Sequence, residues 1–339
     1  MSGTNRQIVM KSHPVGFPKD SDFELVEGGV PEPGDGEFVV KHEYMSLDPY
    51  MRGRMNPPSK MAYAEGTKPG EVMMGGCVGH VIASKHPGYD EGDAVATYGG
   101  WQEYCLSNGK GYHLHKIDTN IAPIEAYLGV LGMPGMTAYF GLLDLCEPKQ
   151  GETVFVSGAA GAVGGYVGQI AKIKGCRVVG SAGSDEKVAL MTESLGYDAG
   201  FNYKSSENYV AELERLCPDG IDCYFDNVGG EMSDAVFANI NLFARISICG
   251  QISQYNLEKP EMGPRLLAMI LVRQARVEGF IVTRFLERYP EAFKEMAQWL
   301  SEGKLIYKTT VADGIENAPS AFMGMLNGEN IGKQLVRLS

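Results

Sequence analysis

From residue 153 onward, short apolar runs alternate with stretches whose apolar residues recur every three or four positions. Runs at 153–156, 177–179, 200–203, 223–226, 245–249 and 277–281 have the length and composition of strands buried on both faces. Between them, 163–174, 186–195, 209–216 and 232–239 carry helical spacing. Strands alternating with helices predict βαβ units, and six such strands predict a doubly wound parallel sheet of Rossmann type. A further helix is predicted over 290–302, with Phe293, Met296, Ala297 and Leu300 on one face, closing this α/β block.

The chain before residue 128 has a different rhythm. Gly, Pro and Asp punctuate short apolar runs at 37–42, 78–84 and 94–98, which predicts a mostly β domain. Beyond 302, the run 305–311, the helix-like 318–326 and the final 333–338 predict a return to that first domain. The expected division is therefore 1–127, 128–302 and 303–339, with a ligand expected in a cleft between the domains.

Composition narrows the function. Glycine contributes 44 of 339 residues, about 13% against a usual ~7%, without a three-residue period, so the excess belongs to folded turns. Net charge is −12, which argues against nucleic acid or an anionic membrane surface as a partner. The start, Met1 to Arg6, lacks the apolar core of a signal peptide, and the longest strongly apolar stretch, 266–272, is too short to span a bilayer. Seven cysteines scattered through a large chain suit free thiols in a reducing cytoplasm better than a disulfide framework.

The run at 153–156 leads into Ser157-Gly158-Ala159-Ala160-Gly161-Ala162-Val163-Gly164-Gly165 and then a helix. This is a dinucleotide fingerprint with Ala159 in place of the first glycine. Gly161 admits the backbone to a pyrophosphate, Gly164 admits the helix to the strand, and the helix N-terminus supplies amide donors. NAD-binding versions place an acid about ~20 residues further on, at the end of the second strand. Here that stretch reads Gly180-Ser181-Ala182-Gly183-Ser184, with Asp185 and Glu186 reading as first-turn acids of the next helix. Small residues leave room for a 2′-phosphate, and Lys187 supplies a positive charge, so the expected cofactor is NADPH.

Zinc is not expected. No Cys-x-x-Cys pair occurs, and the chain reads Met45 ahead of Asp48, and Met74-Gly75-Gly76, at places where zinc dehydrogenases carry ligands. His113 and His115, two apart, read as surface or cleft histidines, the methionines as core or pocket filler, and Cys249 as a buried strand residue.

Several segments together carry a resemblance. They are Ser46-Leu47-Asp48-Pro49-Tyr50-Met51-Arg52-Gly53, Leu131-Gly132-Met133-Pro134-Gly135-Met136-Thr137, the 159–164 loop, Gly183-Ser184-Asp185-Glu186-Lys187, Tyr224-Phe225-Asp226-Asn227-Val228-Gly229-Gly230, Gln251-Ile252-Ser253-Gln254-Tyr255 and Asn330-Ile331-Gly332. Over nearly its whole length the chain resembles the zinc-independent medium-chain dehydrogenase/reductases, within them the prostaglandin, alkenal and curcumin reductase group.

The resemblance implies a GroES-like, mostly β catalytic domain completed by the C-terminal tail, a Rossmann domain, a homodimer, and NADPH. It implies that Gly161, Ala162, Val163 and Gly164 cradle the pyrophosphate, and that Gly183, Ser184, Lys187 and Tyr203 hold the 2′-phosphate end. It further implies that Asn227, Cys249, Gly250, Gln251, Ile252, Ser253 and Tyr255 follow the ribose and nicotinamide half, with Phe280, Ile281, Val282 and Asn330 near the nicotinamide. Members of the group commonly have alanine where this chain has Gly158, which reads as added flexibility.

The implied reaction is reduction of the double bond of an α,β-unsaturated aldehyde or ketone. Hydride adds at the β-carbon and charge gathers on the carbonyl oxygen. Tyr255 is the expected donor to that oxygen, although by residue type alone it reads as a packed tyrosine whose hydroxyl caps a loop. Tyr50 is expected on the substrate wall, and Arg52 as either a substrate contact or an ion pair with Asp48. The substrate cleft is expected to take its shape from loops 56–69 and 256–264. The alternatives are a quinone reductase of zeta-crystallin type and a non-catalytic NADPH-binding scaffold.

Overall fold

The structure is a computed structural model that describes residues 3–59, 63–111 and 113–338, so Met1, Ser2 and positions 60–62 of the 56–69 loop lie outside the described residues. The chain forms two compact units, one of residues 1–129 with 309–339 and one of residues 130–308.

The first unit begins with β1 (Thr4–Met10) and β2 (Phe23–Gly29), an antiparallel pair not anticipated from the sequence. Then come β3 (Phe38–Ser46), α1 (Tyr50–Arg54), β4 (Cys77–Ser84), β5 (Ala94–Thr97), β6 (Tyr104–Ser107) and β7 (His115–Lys116). The core of this unit gathers Met10, Met45, Met51 and Met73 around Trp101, which stacks on Phe23 at 5.8 Å. Flexible thioethers fill the gaps that rigid rings leave.

The second unit runs α2 (Met133–Phe140), β8 (Thr153–Val156), α3 (Ala162–Ile173), β9 (Arg177–Ala182), α4 (Asp185–Glu193), β10 (Ala199–Asn202) and α5 (Tyr209–Leu216). It continues with β11 (Ile221–Asp226), α6 (Gly230–Ala238), β12 (Ile240–Ile248), α7 (Leu267–Arg273), β13 (Arg276–Gly279) and α8 (Tyr289–Ser301). The six strands order as β10-β9-β8-β11-β12-β13, all parallel. All four residues of β8 are buried, as a central parallel strand with helices over both faces requires.

The chain then returns to the first unit through β14 (Thr309–Asp313), α9 (Ala318–Leu326) and β15 (Lys333–Arg337). Strand β15 lies between β14 and β3, completing a seven-stranded sheet.

Three local readings change. Residues 303–308, expected to begin the return, stay with the second unit because Gln169 of α3 bonds both Ile306 N (2.8 Å) and Ile306 O (3.0 Å). The buried face of α8 is Ala292, Met296 and Trp299, rotated from the expected stripe because Trp299 packs on Tyr139 at 6.1 Å. Cys249 is half-buried and lies just past β12, where the chain turns so that Cys249 N and Gly250 N both donate to Asp226 O.

Candidate functional site

In a doubly wound sheet, ligands bind outside the carboxyl ends of the strands, where the strand order reverses. Here the reversal falls between β8 and β11. The expected cofactor residues of the second unit follow the carboxyl ends of five strands: 161–164 after β8, 183–187 after β9, Tyr203 after β10, Asn227 after β11, 249–255 after β12 and, with 280–282 after β13, a sixth. Asn330 and Tyr50 belong to the first unit.

The turn after β8 is shaped by glycine. Gly158 has φ +63, a left-handed conformation that costs an L side chain about 1–2 kcal/mol, so its role is geometric and not the added flexibility expected of it. A Cβ on Gly164 would overlap the carbonyl oxygen of Gly158, so only glycine lets α3 start this close to the loop. Gly161 is the residue before the helix, and Ala162 and Val163 open its first turn. The cradle fits a pyrophosphate.

At the end of β9, a Cβ on Gly183 would stand 2.9 Å from the Tyr203 hydroxyl and 3.3 Å from Lys204 Cε. Ser184 caps α4, its hydroxyl accepting from Lys187 N (3.3 Å). Asp185 is a first-turn acid whose Oδ1 accepts from Asn202 Nδ2 (2.8 Å). Burial, and then the neighbouring Lys204, push the Lys187 ammonium below its usual range. Two ammonium groups, a phenol and a helix N-terminus beside an acid-free strand end suit a phosphate dianion. Sequence reasoning assigned Lys204 no role; its place in Asn202-Tyr203-Lys204, directly after a strand, was the only signal.

The turns after β11 and β12 are fastened together. Asn227 Nδ2 donates to Ser157 O (2.8 Å) and Asn227 N to Ser157 Oγ (3.0 Å), tying the first of them to the phosphate loop. Ile252 N donates to Asn227 O (3.3 Å), and Ser253 N and Oγ both reach Val228 O (3.1 and 2.7 Å). The Tyr255 hydroxyl accepts from Gln251 N (3.3 Å), so it caps its own turn and is held in a defined place. Phe280 turns its ring into the core, edge-on to Phe225 at 6.4 Å, whereas Ile281 is exposed.

Within the first unit, the hydroxyls of Tyr50 and Tyr98 lie 3.0 Å apart, and Tyr98 stacks on His113 at 4.7 Å. Burial, then Tyr98 and Asp48, push the Tyr50 phenol well above its usual range, which keeps it protonated. Arg52 does not pair with Asp48 as one reading had it. Its guanidinium bonds Asn56 Oδ1 (2.6 Å) and Gly16 O (2.7 Å), while Asp48 takes the ammonium of Lys333. Asn330 Nδ2 donates to Gly332 O (2.8 Å).

Comparison with known proteins shows the family. The family described as N-terminal domain of oxidoreductase matches residues 6–115, and the one described as zinc-binding dehydrogenase matches 162–302. The chain is 46% identical to the NADP(+)-dependent 2-alkenal reductase of Nicotiana tabacum, over 99% of this chain and 98% of that one. It is 44% identical to the NADPH-dependent curcumin reductase of Escherichia coli, over 99% and 97%. The chain belongs to the alkenal, curcumin and prostaglandin reductase group of the medium-chain dehydrogenase/reductases. The crystal structure of CurA from Vibrio vulnificus in complex with NADPH superposes on this reductase with a TM-score of 0.93, at 43% identity and 98% and 99% coverage.

In this reductase the donor set differs from the description zinc-binding. Among the described residues, no three His, Cys, Asp or Glu side chains are grouped to hold a metal ion. The carboxylate of Asp48 already has a cation in Lys333.

Proposed function

We propose that the protein reduces the carbon–carbon double bond of α,β-unsaturated aldehydes and ketones, using NADPH. The observation that carries the reading is the acid-free end of β9, where Tyr203 and Lys204 lie close to Gly183 and Lys204 neighbours Lys187, which supports binding of a 2′-phosphate there. Near-full-length likeness to reductases named for an alkenal and for curcumin supports the substrate class.

In this reading the 158–164 loop binds the pyrophosphate, Ser184, Lys187, Tyr203 and Lys204 bind the 2′-phosphate, and the 227–230 and 249–255 turns orient the nicotinamide half. NADPH, when bound, supplies the hydride for the substrate β-carbon. As charge gathers on the substrate carbonyl oxygen, the Tyr255 hydroxyl donates a hydrogen bond to it, and a proton then reaches the α-carbon. Gln251 N holds the Tyr255 oxygen for that task. In the first unit, Tyr50 is proposed as a substrate contact whose raised pKa keeps it a hydrogen-bond donor.

We also infer a homodimer in a reducing, cytoplasmic setting. Leu267, Leu271 and Val272 of α7 are 79%, 76% and 63% exposed, and β13, which follows α7 in the chain, is an edge strand of the sheet among the described residues. Such a surface suits a second copy better than water. All seven cysteines are free thiols. Light scattering on the wild type and on Leu271→Glu tests the dimer, a wild-type monomer refuting it.

The activity is tested by NADPH absorbance with a panel of enals, enones and an ortho-quinone. Fast oxidation with enals and enones supports the reading. Oxidation by the quinone alone replaces it with quinone reduction, and tight NADPH binding without oxidation by any acceptor replaces it with a binding role.

A further inference from the structure

Asp226 ends β11 and is fully buried, yet its carboxylate meets no solvent-facing task. Its Oδ1 accepts from Tyr224 Oη (2.7 Å), Ser157 Oγ (3.2 Å), Val228 N (2.9 Å) and Gly229 N (2.8 Å). Its Oδ2 accepts from Ser233 Oγ (2.7 Å) and Gln251 Nε2 (2.9 Å). Its backbone oxygen accepts from Cys249 N (2.9 Å) and Gly250 N (3.0 Å). Every one of these donors is uncharged.

Tyr224 lies on β11 and Ser233 on α6, and the other six donors come from three different turns. Ser157 opens the phosphate loop after β8, Val228 and Gly229 form the turn after β11, and Cys249, Gly250 and Gln251 form the turn after β12. A Cβ on Gly229 would overlap Gln251 Oε1, so the second and third turns are pressed together directly over this carboxylate. A full ring of donors is satisfied only by a group that accepts at both oxygens, which a carboxylate does and an amide does not. Connecting turns are otherwise more mobile than the strands they join, and a shared anchor of this kind orders them.

We propose that Asp226 is a positioning residue for cofactor binding, its buried carboxylate holding the phosphate loop and the turns after β11 and β12 in the single arrangement that accepts NADPH. The proposal rests on the NADPH reading above. It concerns no contact between Asp226 and the cofactor; the residue acts through Ser157, Val228, Gly229 and Gln251.

The test compares Asp226→Asn with Ser233→Ala, reading NADPH dissociation constants by fluorescence titration, melting temperatures, and amide hydrogen exchange without cofactor. Asn is isosteric but turns a donor toward donors. Ser233 lies on α6, donates to the same carboxylate and belongs to none of the three turns. Both variants are expected to lower the melting temperature. Only Asp226→Asn is expected to raise the NADPH Kd, by about tenfold or more, and to speed exchange at Val228 and Gly229. An Asp226→Asn Kd within twofold of wild type overturns the proposal, as does equal weakening in Ser233→Ala. If Asp226→Asn does not fold, Gln251→Met decides: it cuts one turn from the carboxylate, and an unchanged Kd overturns the proposal. A wild type that binds no NADPH refutes the function proposed above and this proposal with it, whereas normal wild-type binding with unaltered variants refutes this proposal alone.

Discussion

Lys333 and Asp48, 285 residues apart in sequence, form a buried ion pair with Nζ 2.9 Å from Oδ1. The remaining donors of Nζ reach Leu47 O (2.6 Å) and Gln334 O (3.2 Å), and Ser46 Oγ donates to Asp48 Oδ2. Burial pushes the ammonium below its usual range, and the carboxylate beside it opposes that shift. Removing one partner strands the other in the core. Lys333→Met is expected to cost about 3–5 kcal/mol in denaturant unfolding, and adding Asp48→Asn to recover part of that loss. Strict additivity of the two losses would show that the pair is not coupled.

His42 supplies a stability change with pH. It is fully buried; its Nδ1–H donates to Gln102 O (2.7 Å), which leaves Nε2 to accept from Thr97 Oγ1 (3.2 Å). Burial pushes the imidazole down to about 4, against the pull of the Gln102 hydrogen bond. The unfolded chain takes up this proton near ~6.5, the folded one only near 4, so between them the unfolded state binds more protons. Stability from this group therefore falls as pH drops through that window, by roughly 3 kcal/mol. Urea midpoints at pH 7 and pH 4.5 should differ by less in His42→Gln than in wild type; equal differences would show that His42 is not the group responsible.

The 2′-phosphate assignment makes Lys187 and Lys204 specificity residues. Each alanine variant is expected to raise KM for NADPH about tenfold, or ~1.4 kcal/mol, with KM for NADH little changed. Equal catalytic efficiency of the wild type with the two cofactors, or no loss in Lys187→Ala, would remove the assignment.

Tyr255→Phe removes the proposed donor to the developing oxyanion. By analogy with the loss of one oxyanion donor, kcat is expected to fall on the order of 100-fold across several enones. The NADPH Kd, measured alongside, should move little, because only Gln251 N loses its acceptor, while Cys249 N, Gly250 N, Ile252 N and Ser253 N keep backbone acceptors that hold the turn. Near-normal turnover would mean that the cofactor ribose or water supplies that contact.

Much of the second unit was legible from the chain alone. Strand β8, its glycine turn and α3 are contiguous, and their apolar periods and close-packing glycines follow from forces acting within a few turns of chain. The order of the six strands is that of a doubly wound dinucleotide-binding sheet, the type that the strand–helix alternation predicts. The first unit was less readable. β1 and β2 alternate irregularly, and their pairing register is set by partners rather than by their own pattern. At the candidate site, the acid-free strand end and Lys187 stood in one local segment and could be read there. Lys204 beside Gly183, Lys333 on Asp48, and the three turns gathered on Asp226 could not. Local sequence determines which backbone an element adopts, because hydrogen bonds and side-chain periods act over a few residues. Which distant side chain completes a buried charge or fills a ring of donors is decided only when the sheets assemble and remove water from both partners.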